Sequence, residues 1–265
     1  MHPLLVVATP LGNLSDVSPR VRQSLAEADV IAAEDTRVTR KLLAALDIPS
    51  PNLVSYWGRD EEQKARGLVQ RIEAGEKVVL VCDAGTPNIS DPGQHLVRQC
   101  HERGIPVRAV AGPSALTAAV SVSGLPPVPL HFLGFSPRKP GPLRRWIRKY
   151  AALPGTLVIY EAPGRTASTL QVIAEELPDR QVCMARELTK LHEEVVTRPA
   201  PELAAAMKGA HVRGEVVLLV GPGDAPTDSA PQKLDNLKDI AAALAKRWGC
   251  TKREAYQRLL ALEKD

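Results

Sequence analysis

Aromatic side chains are scarce in this sequence: two Phe, three Trp and four Tyr, 3% of 265 residues. So few rings argue against a surface that binds single strands by a long run of stacked bases. Cysteine is sparse as well. Cys82, Cys100, Cys183 and Cys250 stand far apart with no C-x-x-C pair, which argues against a zinc site or a disulfide framework and fits a reducing cytoplasm. The six histidines (His2, His95, His101, His131, His192 and His211) have no metal-ligand spacing, so no metal is expected. No apolar run approaches the roughly 20 residues of a membrane-spanning helix. The first residues, Met1-His2-Pro3 and then Leu4-Leu5-Val6-Val7-Ala8, lack the basic region and cleavage site of a secretory signal. Three familiar phosphate or nucleophile motifs are missing: G-x-G-x-x-G after the first strand, G-x-x-x-x-G-K-[ST], and G-x-S-x-G. Their absence argues against an ordinary dinucleotide site, a P-loop and a serine hydrolase.

Acidic residues are absent from residues 103–160. That stretch holds Arg103, Arg108, Arg138, Lys139, Arg144, Arg145, Arg148 and Lys149, a local charge of +8 in a chain of net +4. A polyanionic partner would explain it, and so would a solvated basic face.

What is present is ordinary for a soluble globular protein, at 44% hydrophobic and 24% charged residues. Short β-branched runs at 4–8, 30–33, 78–82, 107–111, 156–160, 182–185 and 216–220 read as buried strands. Helical patterns lie between them, at 17–28, 37–46, 61–74, 93–103, 114–122, 165–176 and 201–207. The alternation predicts an α/β architecture with largely parallel strands. Proline, 23 residues, clusters at Pro126, Pro127, Pro129, Pro137, Pro140 and Pro142, and this reads as a linker. The expected organisation is an N-terminal α/β domain (1–125), a second α/β domain (126–222), and a linker with a small helical tail (223–265). Within the tail, helical patterns at 237–248 and 252–263 suggest a helix-turn-helix or a capping hairpin.

In open α/β sheets, ligands bind beyond the carboxyl ends of the strands. There this sequence places Thr9-Pro10-Leu11-Gly12, Glu34-Asp35-Thr36-Arg37, Asp83-Ala84-Gly85-Thr86-Pro87-Asn88-Ile89-Ser90-Asp91-Pro92-Gly93 and Gly112-Pro113-Ser114-Ala115. Gly85 and Gly93 permit close backbone approach, while Pro87 and Pro92 stiffen the loop, which suits a flat polar ligand such as adenine. Asp91 could equally be a helix cap, and Ser114 reads first as the cap of its helix and second as a ligand contact. In the second half, Glu161-Ala162-Pro163-Gly164-Arg165 and Arg186-Glu187-Leu188-Thr189-Lys190 follow strands.

In order, these segments resemble the bacterial 16S rRNA (cytidine-1402 2'-O)-methyltransferases, within the tetrapyrrole-methylase superfamily. The matching stretches begin with Val7-Ala-Thr-Pro-Leu-Gly-Asn-Leu14, Ala33-Glu-Asp-Thr-Arg-Val-Thr-Arg-Lys-Leu-Leu43, Asp83-Ala-Gly-Thr-Pro87 and Ile89-Ser-Asp-Pro-Gly93. They continue with Gly112-Pro-Ser-Ala115, Gly134-Phe135, Pro137-Arg-Lys139 and Ala185-Arg-Glu-Leu-Thr-Lys-Leu-His-Glu-Glu194. The resemblance implies a two-domain fold, a homodimer, and S-adenosyl-L-methionine held between the domains. It implies cofactor contacts at Pro10, Leu11, Asp83, Gly85, Thr86, Ile89, Ser114, Ala115, Tyr160, Ala185 and Arg186. It implies RNA contacts at Arg37, Arg40, Lys41, Arg138 and Lys139, with 16S rRNA of the small ribosomal subunit as the partner. The basic stretch adds Arg144 and Arg145 to the expected RNA face. The sequence departs from the family pattern at Gly164, where a His is common, at Trp57-Gly58-Arg59-Asp60-Glu61, at Asn88 and at Cys82.

A ribose 2'-hydroxyl is weakly acidic, so a nearby base should assist its methylation. The candidates are Glu34, Asp35 and Glu187, with Lys190 as an electrostatic helper. A structural role for each remains open, as does proton transfer to solvent or a phosphate. Two other functions fit the same segments: methylation of a tetrapyrrole or other small molecule, and RNA binding without catalysis.

Overall fold

In a computed structural model of the chain, the described residues are 2–58, 60–223, 241, 245 and 249–262. They fall into two compact units, Met1–Gly223 and Asp224–Asp265.

The first unit holds two five-stranded sheets. One is built from β1 (Leu4–Val7), β2 (Val30–Ala33), β3 (Asn52–Ser55), β4 (Val78–Val81) and β5 (Val107–Val110), in the order β3-β2-β4-β1-β5. All of its pairings are parallel. Its helices are α1 (Pro19–Ala26), α2 (Thr36–Ala45), α3 (Glu61–Glu73), α4 (Gln94–Glu102) and α5 (Ala115–Val122). Strands β2 and β4 are buried throughout. Helices cover both faces, so these strands read as unbroken apolar runs rather than as alternations. The two-residue period still sorts their side chains. Val30, Ala32, Val78 and Leu80 pack with Leu68 and Ile72 of α3 and Leu96 of α4. Ile31, Ala33, Val79 and Val81 pack with Val21 and Leu25 of α1 and Leu43 of α2.

The second sheet comprises β6 (Leu130–Phe135), β7 (Thr156–Glu161), β8 (Gln181–Arg186), β9 (Glu194–Pro199) and β10 (Val216–Val220), ordered β6-β7-β10-β8-β9. Here the expectation of largely parallel strands fails. β6 and β7 are parallel, but β10 runs antiparallel to both β7 and β8, and β8 antiparallel to β9. Helices α6 (Pro140–Ala151), α7 (Thr166–Glu176) and α8 (Ala200–Met207) cover one face. The other face carries Val158, Cys183, Ala185, Val217 and Leu219. It packs against Leu11 and against Leu116 and Ala119 of α5, which ties the second sheet to the first.

The proline cluster is not simply a linker. β6 and α6 form within it. Pro140 and Pro142 fall in the first turn of α6, where a missing backbone N–H breaks no helical bond. Strands β3 and β9, only partly buried, went unread in the sequence.

In the second unit, helix α9 (Lys252–Leu262) opens with a capping box. The Glu254 carboxylate accepts from the Thr251 amide at 2.8 Å, and the Thr251 hydroxyl accepts from the Glu254 amide at 3.3 Å. Ala241, Ala245 and Ala255 pack together with Cys250 and Tyr256. Apart from Ala241 and Ala245, the expected helix at 237–248 lies outside the described residues, as does the stretch 224–236 of the expected linker before it. Among the described residues no helix is long and apolar enough to cross a membrane.

Candidate active site

The carboxyl ends of β1, β4 and β5 meet the second sheet around a cavity of about 240 Å³. Leu11, the stretch Ala84–Thr86, Ile89, Asp91, Ser114 and Ala115 line it from the first sheet. Phe135, Tyr160, Glu161, Ala162, Pro163 and residues 214–217 line it from the second. Backbone pairing locks two of these loops together. Thr9 and Gly85 exchange amide-to-carbonyl bonds of 2.8 and 3.0 Å, and the Thr9 hydroxyl donates to the Cys82 carbonyl at 3.1 Å. Gly85 sits at φ 85°, and an added Cβ would press on Leu11 at 3.3 Å. A left-handed turn in close contact needs glycine here.

Conformational strain concentrates at the loops around this cleft. Asn88 and Ser90 adopt φ of 72° and 73° after β4, and Glu187 and Thr189 adopt 50° and 66° after β8. Positive φ in a β-branched residue such as Thr189 is rare, and such strain clusters at functional loops. Lys190 lies over Gly12, whose Cβ would come within 2.6 Å of it. Its Nζ bonds Glu187 at 2.8 Å and Glu215 at 3.1 Å.

The walls are mixed. Tyr160 packs edge-on against Phe132 and Phe135, with ring centroids at 4.8 and 5.7 Å. Burial raises its hydroxyl to about 12, so it stays protonated. Beside it, Glu161 is fully buried and fully satisfied. It accepts from the hydroxyls of Ser136 at 2.5 Å and Thr169 at 2.6 Å and from the Ala162 amide at 2.7 Å, and it pairs with Arg165 at 2.5 Å. This network fixes the Glu161-Ala162-Pro163 wall. Asp91 contrasts with it: burial, with the charges of Glu34, Asp83 and Glu215 adding, pushes its carboxyl up to about 6.

Seven of the expected cofactor residues line this cavity: Leu11, Gly85, Thr86, Ile89, Ser114, Ala115 and Tyr160. Ser114 occupies the N-cap position of α5 but makes no capping bond. Pro10 is half-buried next to Leu11 and does not line the cavity. Ala185 is buried in β8, and Arg186 is paired with Glu194 at 2.5 Å. Asp83 faces a second, more open cavity of about 390 Å³, shared with Glu34, Asp35, Thr36, Arg37, Ser55 and Trp57.

The candidate bases are not brought together. Glu34 and Asp35 border the second cavity. Glu34 Oε2 accepts from the Asp83 amide at 3.2 Å, and burial raises its pKa. Asp35 caps α2 and grips Arg37 at 2.6 Å, which holds its carboxyl at about 2. Glu187, across the cleft, is held below its ordinary value by Lys190. Sequence reasoning placed Glu161-Ala162-Pro163 at a strand end and noted Phe135 without assigning either to the cofactor, missed residues 214–217 as site residues, and left Asp91 between cap and ligand. Gly93, not Asp91, is the N-cap of α4.

Of the expected RNA contacts, Arg37, Arg40, Lys41, Arg138, Lys139 and Arg145 are exposed. Arg144 is instead paired with Glu175, and with Glu176 at 2.9 Å; Arg148 joins Glu176 at 2.5 Å. Two of the eight cations in the basic stretch, Arg144 and Arg148, therefore fasten α6 to α7.

The cavity suits a nucleoside-bearing donor. Leu11, Ile89 and Val217 offer apolar contact, and the 84–86 turn brings backbone close. Among the described residues no group of His, Cys, Asp and Glu could hold a metal ion.

Comparison with known proteins agrees with this arrangement. The family model of the tetrapyrrole (corrin/porphyrin) methylases matches residues 3–204. The protein named ribosomal RNA small subunit methyltransferase I of Mycobacterium tuberculosis (strain CDC 1551 / Oshkosh) is 44% identical over 242 residues, covering 91% of this chain and 84% of its own. The protein of that name from Synechocystis sp. is 37% identical over 276 residues, covering 99% of each. Among solved structures, the methyltransferase CobJ superposes with a TM-score of 0.61 at 22% identity, covering 84% of this chain and 95% of its own. Uroporphyrin-III C-methyl transferase from Thermus thermophilus, complexed with S-adenyl homocysteine, gives 0.58 at 21%, covering 83% and 97%. At that distance the structures share the fold alone. The sequence matches go further: the chain belongs to the tetrapyrrole (corrin/porphyrin) methylases and, among them, to the ribosomal RNA small subunit methyltransferase I family.

Proposed function

We propose that this protein is an S-adenosyl-L-methionine-dependent methyltransferase that methylates a ribose 2'-hydroxyl, that of cytidine 1402, in 16S RNA of the small ribosomal subunit. The observation that carries the reading is the cavity walled by strand tips of both sheets, in a chain whose relatives bear the name of small-subunit RNA methyltransferases. A cytoplasmic homodimer is part of this reading, as are two α/β domains meeting near residue 125 and the helical tail beyond 222.

S-adenosyl-L-methionine, when bound, supplies an electrophilic methyl group whose departure leaves a neutral thioether, so no metal is required. Leu11, Gly85, Thr86, Ile89, Ser114, Ala115 and Tyr160 hold the donor, and Pro10, Asp83, Ala185 and Arg186 support it from just outside. Asp91 faces its positive charge. Glu34 is the proton acceptor: Oε2 is committed to the Asp83 amide, which leaves Oε1 for the ribose hydroxyl. Its raised pKa makes it a better base than Asp35 or Glu187, whose ion pairs hold them low. Asp35 orients Arg37, and Lys190 braces Glu187 and Glu215. Arg40, Lys41, Arg138, Lys139 and Arg145 contact phosphates.

Mapping 2'-O-methyl marks on 16S RNA from cells with and without the gene tests the function. Loss of the mark at cytidine 1402 supports it. An unchanged methylation map, or calorimetry showing no binding of S-adenosyl-L-methionine, refutes it.

A further inference from the structure

The second cavity is more open and more polar than the first, and one loop divides them. Asp83 lines the second, while the next two residues, Ala84 and Gly85, line the first. A ligand in the second cavity therefore lies one turn of backbone from the donor site. Its rim carries Trp57, the largest exposed aromatic side chain among the described residues, at 57% exposure. The backbone that carries the ring is held in place. The preceding residue, Tyr56, is fully buried; its amide donates to the Ala33 carbonyl at 2.7 Å and its hydroxyl accepts from the Leu96 amide at 3.1 Å. Lys64 Nζ holds the Trp57 carbonyl at 2.6 Å. An indole on an anchored backbone beside an open polar cavity offers a stacking face.

The remaining walls are polar and half-committed. Asp83 Oδ1 accepts from the Asp35 amide at 3.0 Å, which leaves Oδ2 for the cavity. Arg37 commits Nε and Nη2 to Asp35, at 3.0 and 2.6 Å, while Nη1 has no partner among the described residues. Asp35 thus aims a guanidinium whose side chain is 82% exposed. An aromatic face, an anionic acceptor and an oriented cation match the three parts of a nucleotide: base, exocyclic amine and phosphate.

We propose that this cavity is the nucleobase pocket for the nucleotide to be methylated, with Trp57 as its stacking platform and Asp83 as the residue that selects an amino-bearing base over uracil. The inference rests on the RNA-methyltransferase reading. A carboxylate accepts from the exocyclic amine of cytosine or adenine and repels the carbonyl oxygen that uracil presents at the same place. Arg37 Nη1 takes the adjoining phosphate.

Two measurements on the full chain test this. In methyl transfer to small subunits lacking the mark, Trp57→Ala should raise KM for the subunit about tenfold, and Trp57→Phe should restore most of it. Binding of S-adenosyl-L-methionine should be unchanged in both variants, because Trp57 is outside the first cavity. In titrations with S-adenosylhomocysteine present, wild-type protein should bind cytidine monophosphate about tenfold more tightly than uridine monophosphate. Asp83→Asn keeps an oxygen for the Asp35 amide and should erase that preference. An unchanged KM in Trp57→Ala, or equal binding of the two nucleotides by wild type, overturns the pocket while leaving the methyltransferase reading intact. Wild-type protein that neither binds the donor nor transfers methyl overturns both.

Discussion

With Asp91 facing the donor's charge as proposed, donor binding should be sensitive to pH in a predictable direction. The Asp91 carboxyl lies at about 6 in the free protein against an ordinary 3.8, because burial disfavours the charged form and three carboxylates add to the effect. A sulfonium placed in the same cavity favours the ionised form. If binding returns Asp91 to its ordinary value, the free protein carries the extra proton between about pH 4 and pH 6 and the complex does not. Affinity then rises with pH, and linkage gives about ninefold weaker binding at pH 5 than at pH 7. Near pH 6, about half a proton leaves per donor bound. Isothermal titration in two buffers of different ionisation enthalpy measures both quantities. S-adenosylhomocysteine, which lacks the sulfonium charge, should show less than about a twofold change over the same range. Asp91→Asn should bind S-adenosyl-L-methionine more weakly at pH 7 and with a flat profile. An affinity independent of pH in wild type, or a slope that survives in Asp91→Asn, refutes the assignment of Asp91 to the donor's charge.

Four other perturbations separate binding from architecture. Reversing Arg138 and Lys139 to Glu should weaken RNA binding about tenfold and make its salt dependence shallower, as measured by filter binding at several salt concentrations. Arg144→Glu should instead lower the thermal midpoint, because Arg144 fastens α6 to Glu175 and Glu176 of α7; an unchanged midpoint would return Arg144 to the RNA face. Glu161→Ala should cost about 3–5 kcal/mol in denaturant unfolding, since it leaves Arg165 without its buried partner. Glu161→Gln, which still accepts hydrogen bonds, should cost less. Gly214→Ala would place a Cβ 2.0 Å from Glu187 Oε1 at φ 81°. It should lose about 1–2 kcal/mol from backbone strain alone, and weaker donor binding in calorimetry should accompany the loss.

The fold was legible where burial is two-sided. β2 and β4 are apolar at every position because helices cover both of their faces, so composition alone marks them. β3 and β9 are partly exposed and carry mixed residues, which leaves little to separate them from loops. Strand direction in the second sheet was not legible, since a connection long enough for a crossover can also return antiparallel. The prolines of α6 misled because proline at a helix start and proline in a linker have the same composition. Only the position of Pro140 and Pro142 relative to the first helical turn distinguishes them.

The same geometry decides which site residues could be foreseen. In the parallel sheet every strand points its carboxyl end at the cleft, so the residues after β1, β4 and β5 could be placed from sequence order. In the antiparallel part that rule fails. β10 runs against β8, and it is the beginning of β10 that meets the cleft, at Val216 and Val217 opposite Arg186 and Ala185. Gly214 and Glu215 therefore contribute from the entry to a strand, where nothing in the sequence marks them. Ala185, paired beside Val217, is sealed into the core behind the wall it was expected to form. Asp91 was ambiguous for a different reason: an acidic residue before Pro-Gly looks like a cap until the cap proves to be Gly93. Free of capping and lining the cavity, its carboxyl is raised to about 6 by burial, so the pH slope of donor binding tests its proposed place opposite the sulfonium more sharply than any residue count.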